Sequence, residues 1–267
     1  MANVLINRAP SATEVSEEEI AAIVGEGKFL RAVAYFDLVR AFGRVPLILE
    51  APSNEVDLFY PQSEVNEIYD RIKIDLNEAA ELLPLRRDGT DVGRATSGAA
   101  RSYLAKVHLT LREWEAARDQ AEAVVNSQAY ELTEDYGENW VWPNSDNNSE
   151  SVFQIQFAGC GPWGTGNAMQ AFFSPWNEGI TKVADGWGSM IPTGPRTFQP
   201  GTTILDIWEE GDLRRYYTLM EPNNYYPMLN PEEGGYTYPA NGASAENSNI
   251  KKYVIGGGSN VCLMSTP

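Results

Sequence analysis

The chain changes character near residue 133, and that break constrains the fold more than any other feature. Before it, apolar residues recur at helical spacing and glycines are few. After it come segments rich in Gly, Asn, Pro and aromatic residues. Apolar residues three and four apart share one helix face, whereas Gly and Pro interrupt regular structure. Residues 1–133 are therefore expected to be a helical part and residues 134–267 an irregular, aromatic-rich part carrying a few short strands.

The first helix is predicted from about Ser16 to Phe42. Ser16 and Glu19 form a capping box, each side chain satisfying an orphan backbone donor of the other. Ile20, Ile23, Leu30, Val33, Ala34 and Leu38 give its apolar stripe. Gly25 and Gly27 are the points at which it can break in two, and Gly43 and Pro46 end it. Val45–Glu50 reads as a short extended segment. A second helix runs from about Ser63 to Leu83, with Val65, Ile68, Tyr69, Ile72, Leu76, Ala79, Ala80 and Leu83 on one face. Pro84 stops it.

A helical hairpin follows. Thr96 to Leu111 places Ala100, Tyr103, Leu104, Val107 and Leu111 on one face. Trp114 to Val125 does the same with Trp114, Ala117, Ala121, Val124 and Val125. The short joint at Arg112 and Glu113 makes the two antiparallel neighbours. The unit from Thr96 to Tyr130 is about one tetratricopeptide repeat long, roughly 34 residues. One repeat cannot bury its own face, so it must stack on other helices. Beyond the break, Ser151–Phe157 alternates Phe153, Ile155 and Phe157 with Gln154 and Gln156, which predicts a half-buried strand. Another short element is expected at Ile204–Trp208.

Composition excludes several functions. The net charge of -17 counts against binding nucleic acid, which needs a basic stripe to release counterions. It also opposes contact with anionic lipid headgroups. A single histidine, His108, removes mechanisms needing two imidazoles, and its place beside Leu104 and Leu111 suits a packed, hydrogen-bonded side chain. Cys160 and Cys262 are too few for a disulfide framework or a thiolate cluster. No apolar run reaches the roughly 18–20 residues of a membrane span. The first eight residues lack the basic and apolar regions of a signal peptide.

Other motifs give little. Gly159–Gly164 matches the GxGxxG spacing, but Pro162, Trp163, Gly164 and Gly166 prevent the helix that would hold a pyrophosphate. Asp146–Glu150 resembles a calcium loop without its turn glycine or correctly spaced bidentate Glu. No cofactor and no metal are expected. With 37 acidic residues some carboxylate pair is inevitable, so a glycosidase-type pair carries no signal by itself. Six of the seven tryptophans fall between Trp140 and Trp208. Loop aromatics interleaved with Asn and Gln suit sugar rings, whose C–H groups stack on ring faces while amides bond the hydroxyls. Any single tryptophan reads first as filling of a loop-rich unit, whereas the cluster as a whole points to sugar.

Six segments, in order, resemble one family. They are Gly27–Gly43 (GKFLRAVAYFDLVRAFG) with Val45–Leu47; Ile68–Ile72 with Asp75–Pro84; and Gly93–Val107 (GRATSGAARSYLAKV) with Trp114–Ala117. Glu150–Phe157, Gly186–Gly188 with Ile191–Thr193, and Gly211–Arg215 complete the series. The chain is similar to SusD/RagB nutrient-binding outer-membrane lipoproteins. The resemblance implies a mainly α fold of tetratricopeptide-like helix pairs packed against an irregular loop-rich region with a few short strands.

It also implies a non-catalytic protein on the outer face of the outer membrane. Such a protein binds a nutrient glycan and serves a SusC-like TonB-dependent transporter, with no nucleic-acid partner and membrane contact only through a lipid anchor. The family's signal, lipobox Cys and first helices have no counterpart here, and Ser265–Pro267 interrupts its next helix, so the chain reads as a fragment lacking both ends. Trp163, Trp176 and Trp187 are the candidate ligand-binding residues, chosen from position and composition. The same architecture carrying peptide or another nutrient is the alternative, with a carboxylate-pair glycosidase behind it.

Overall fold

The computed structural model describes residues 1–50, 59–141, 145–156, 208–229, 234–239 and 249–252. These fall into two compact units, Met1–Glu131 with Ser151–Phe153, and Leu132–Glu150 with Gln154–Pro267.

The first unit is a stack of helices: α1 (Ala2–Arg8), α2 (Glu17–Phe42), α3 (Val65–Leu82), α4 (Ser97–Thr110) and α5 (Trp114–Asn126). Helix α2 begins at the predicted capping box, where Ser16 Oγ accepts from Glu19 N at 3.2 Å and Ser16 N donates to the Glu19 carboxylate at 3.1 Å. It is unbroken. Gly25 and Gly27 lie where neighbours touch its backbone. A Cβ on Gly25 would sit 3.0 Å from Leu82 and Leu83, and one on Gly27 2.9 Å from Ile6.

The buried face of α2 differs from the predicted one. Phe29, Ala32, Phe36 and Val39 enter the core, whereas Leu30 is 50% exposed and Ala34 and Leu38 also face outward. The helix carries two apolar stripes of similar spacing. The stripe that is buried offers two aromatic rings around a small Ala32, which together fill more space between α3 and α4. Helix α3 buries the predicted face, from Ile68 to Leu83, with Val65 partly buried at its start. Helix α4 does likewise with Ala100, Leu104 and Val107, and adds Ala99. Helix α5 is a correction: Ala117 is buried, but Trp114 is 61% and Val125 72% exposed, and Ala121 also faces solvent. It lies mainly on α4, and one neighbour covers only the middle of a helix face.

The extended segment Val45–Glu50 is pinned by side chains. Ile48 N donates to Tyr35 Oη at 2.7 Å, and Asn3 Nδ2 donates to the carbonyls of Ile48 and Glu50 at 2.9 and 3.0 Å. Beneath it, Arg31 and the fully buried Asp75 form a two-pronged pair, Nε to Oδ2 at 2.7 Å and Nη2 to Oδ1 at 2.8 Å.

Arg94, Thr96, Ser97 and Gly98 of the Gly93–Val107 motif each make a specific contact. Arg94 pairs with Glu26 on α2 at 2.8 Å. Thr96 caps α4, its Oγ1 accepting from Ala99 N at 3.1 Å. Ser97 Oγ donates to the Ala80 carbonyl at 2.7 Å, tying α4 to α3. Gly98 leaves room for the Tyr130 ring, since a Cβ there would lie 2.4 Å from Tyr130 Oη. Tyr130 in turn bonds Thr96 Oγ1 at 3.2 Å and donates to the Leu85 carbonyl at 2.8 Å, closing the hairpin. Gly98→Ala is expected to lower stability by about 1–3 kcal/mol through this overpacking, measured by urea unfolding. On that background, Tyr130→Ala should cost less than it does alone. Purely additive losses would show that the ring is not what Gly98 accommodates.

Residues 151–156 contain no strand. Phe153 packs edge-on against Phe29, with ring centroids 5.1 Å apart. After it the predicted alternation reverses: Gln154 is buried and Ile155 is 65% exposed. Gln154 turns inward because its Oε1 accepts from the backbone N–H of Asn147 at 3.0 Å, and that bond outweighs the apolar pattern.

The second unit contains a 3-10 turn at Tyr136–Trp140 and helix α6 (Leu213–Thr218), whose N-terminus Asp212 caps by accepting from Arg214 N at 2.9 Å. Strands β1 (Leu219–Met220) and β4 (Asn249–Ile250) pair antiparallel, as do β2 (Tyr225–Tyr226) and β3 (Tyr236–Thr237). Its core is Met220, Tyr226, Leu229 and Tyr238. Six helices and four two-residue strands among the described residues make the fold mainly α.

Candidate functional site

The candidate ligand residues Trp163, Trp176 and Trp187, and the Gly159–Gly164 motif, lie outside the described residues. What the structure does describe of the aromatic-rich unit is a row of rings beside a network of amides.

The row runs Trp140, Tyr136, Tyr217, Tyr216, Tyr226. Successive centroids are 6.1, 5.9, 5.3 and 5.0 Å apart. Tyr216 and Tyr226 are stacked and the other contacts are tilted or edge-on, the arrangements that ring quadrupoles favour. Two lysines enter this row from the end of β4. Lys252 Nζ sits 3.9 Å from the Trp140 ring centroid, and Lys251 Nζ lies among Tyr216, Tyr217 and Tyr226. Burial pushes the Tyr226 phenol up to about 12 and the Lys251 amine down to about 8, because each charged form would lose its hydration.

The amide network centres on Glu150. Its carboxylate accepts from Asn139 Nδ2 at 2.8 Å, Thr133 Oγ1 at 3.1 Å and Thr133 N at 3.2 Å. The bond from Asn139, followed by those from Thr133, holds the carboxyl below the usual range. Asn148 Nδ2 donates to Asn139 Oδ1 at 2.7 Å. At the surface, Asn147 and Gln156 exchange amide bonds of 3.1 and 3.0 Å.

The Glu150 carboxylate is thus engaged by Thr133 and Asn139. Among the described residues no cluster of three His, Cys, Asp or Glu side chains is arranged to hold a metal ion. His108 is a hydrogen-bonded helix-end residue, as predicted, with Nδ1 2.5 Å from Glu113. No described helix is long and apolar enough to cross a membrane.

Sequence reasoning missed Tyr216, Tyr217, Lys251, Lys252 and the Glu150 network. The doublets Tyr216–Tyr217, Tyr225–Tyr226 and Lys251–Lys252 were visible as pairs. Nothing in spacing said that they meet.

A SusD-like family model, described as starch-binding and associating with the outer membrane, matches residues 1–109. A SusD-like protein of Bacteroides ovatus is 30% identical over 271 residues, covering 96% of this chain and 46% of the relative. A protein crystallised with a xylogluco-oligosaccharide superposes with a TM-score of 0.80 at 27% identity, over 100% of this chain and 53% of the other. A laminarin-binding SusD-like protein superposes with a TM-score of 0.75 at 26% identity, over 99% of this chain and 60% of the other. The chain spans about half the length of the relatives it matches. With the helix order, the Gly93–Val107 motif and these similarities together, the chain belongs to the SusD-like (SusD/RagB) family.

Proposed function

We propose that this chain belongs to a non-catalytic protein that binds a nutrient oligosaccharide or polysaccharide on the outer face of the outer membrane. There it hands its cargo to a SusC-like TonB-dependent transporter, held at the membrane by a lipid anchor. The observation that carries the reading is similarity over essentially the whole chain to a protein crystallised with a xylogluco-oligosaccharide. A laminarin-binding relative supports it, and so does the aromatic- and amide-rich composition of residues 134–267. Trp163, Trp176 and Trp187 are the proposed stacking residues. A neutral glycan suits the net charge of -17 better than a sulfated or uronic one.

The test is intrinsic tryptophan fluorescence titrated with soluble glucans, xyloglucan oligosaccharides and oligopeptides. A saturable shift with one glycan is expected. Trp163→Ala or Trp176→Ala should weaken it at least tenfold, about 1.4 kcal/mol, as for an aromatic anchor. Saturation by peptides alone would replace the glycan with peptide cargo. Reducing sugar released during the titration would point to a carboxylate-pair hydrolase and sink the non-catalytic reading.

A further inference from the structure

Lys251 is 1% exposed. Its Nζ lies 5.1, 5.6 and 5.9 Å from the ring centroids of Tyr217, Tyr226 and Tyr216. The hydroxyls of these three tyrosines are turned to other partners. Tyr216 donates to the Tyr225 carbonyl at 2.7 Å and Tyr226 to the Leu219 carbonyl at 2.9 Å, while Tyr217 Oη lies 3.4 Å from both oxygens of Asp135. The lysine therefore meets ring faces.

No carboxylate among the described residues pairs with it. Asp135 accepts from Gly137 N at 2.8 Å and lies 3.4 Å from the Tyr217 hydroxyl, Glu221 is paired with Arg215 at 2.5 Å, and Lys252 is turned to Trp140. The backbone fastens the same segment: the amides of Lys251 and Lys252 both point to the Thr218 carbonyl, at 2.7 and 3.3 Å, next to the β1–β4 pairing.

We propose that Lys251 is a proton-operated latch: seated in its tyrosine cage, it holds residues 249–252 on the corner between α6 and β1, more firmly when neutral than when charged. Ring faces attract an ammonium, but they replace neither its hydration shell nor a carboxylate. Burial accordingly lowers the amine to about 8, against about 10.4 for a solvated lysine. Between these values the open form binds more protons than the closed form. Closure therefore strengthens as pH rises through that window and is at its constant, weaker level below it. The cage phenols do not interfere. Burial raises those of Tyr216 and Tyr217, and that of Tyr226 reaches about 12.

The test is a 13Cε-lysine NMR titration of the whole chain. The signal that vanishes in Lys251→Met should titrate near pH 8. In parallel, urea unfolding followed by near-UV circular dichroism compares wild type with Lys251→Met. From pH 7 to pH 9.5 the folded-to-unfolded ratio of wild type should rise relative to the variant by at least about tenfold. A Lys251 signal in the ordinary lysine range overturns the proposal, as do parallel pH courses for the two proteins. If Lys251→Met fails to fold, Lys251→Arg assigns the signal and the titration decides alone.

Discussion

Asp75→Ala should destabilise the helical unit by about 3–5 kcal/mol, because it leaves a buried guanidinium without its counter-charge. Arg31 and Asp75 are both buried and bonded through two parallel contacts of 2.7 and 2.8 Å. Arg71 adds a bond to the same carboxylate at 2.9 Å, and that bond raises the pKa of its own guanidinium. Arg31 also reaches the Asn3 side chain at 3.2 Å and the Leu49 carbonyl at 3.4 Å. The pair therefore joins α2 and α3 to α1 and to the extended segment after α2. Urea unfolding followed at 222 nm measures the loss. The double variant Arg31→Met, Asp75→Leu should recover much of it, since apolar replacements of a buried pair are often neutral. A loss below about 1 kcal/mol in Asp75→Ala would mean that water satisfies Arg31 and that the pair holds little together.

Phe29→Ala should cost a similar amount, about 3–5 kcal/mol, as a large buried side chain gives way to a cavity. Phe29 is completely buried and meets two rings edge-on, Tyr103 at 5.4 Å and Phe153 at 5.1 Å. Each such ring pair contributes about 0.5–1.5 kcal/mol beyond the area it covers. Losing Phe29 also removes the anchor of Phe153, so limited proteolysis should cut faster near residues 151–156. Leu30→Ala is the control: half exposed on the opposite stripe, it should change stability by no more than about 0.5 kcal/mol. Equal losses from the two variants would return the buried face to Leu30, Ala34 and Leu38.

Much of the helical unit was legible in the sequence. The capping box at Ser16, the stripe from Ile68 to Leu83 and the start of a helix at Thr96 are local features, decided within a few residues by backbone donors and side-chain spacing. The faces of α2 and α5 were not. Helix α2 has two stripes of like spacing, so its own sequence cannot say which one its neighbours cover. Helix α5 has one stripe, but how much of it is covered depends on how many helices lie against it. The strand reading at residues 151–156 failed because a bond to a loop residue seven positions away, Asn147 N to Gln154, overrode the alternation. In the candidate site, the amide and ring composition was visible. The pairing of Lys251 with Tyr216, Tyr217 and Tyr226 joins residues about 25–35 positions apart and has no periodicity to reveal it.

By itself the sequence determined about where helices α2 to α5 start and stop, though not α1 or α6, that the fold is mainly α, and which family the chain resembles. Each of these follows from short-range chemistry or from motif order. Only the tertiary structure decided which stripe of α2 is buried, that Asp75 and Arg31 meet inside, and that two lysines enter a row of aromatic rings. The physical reason is the same in each case. Burial is a property of the space between elements, and a charge or a ring acquires its energy from neighbours that the chain supplies from far along its length.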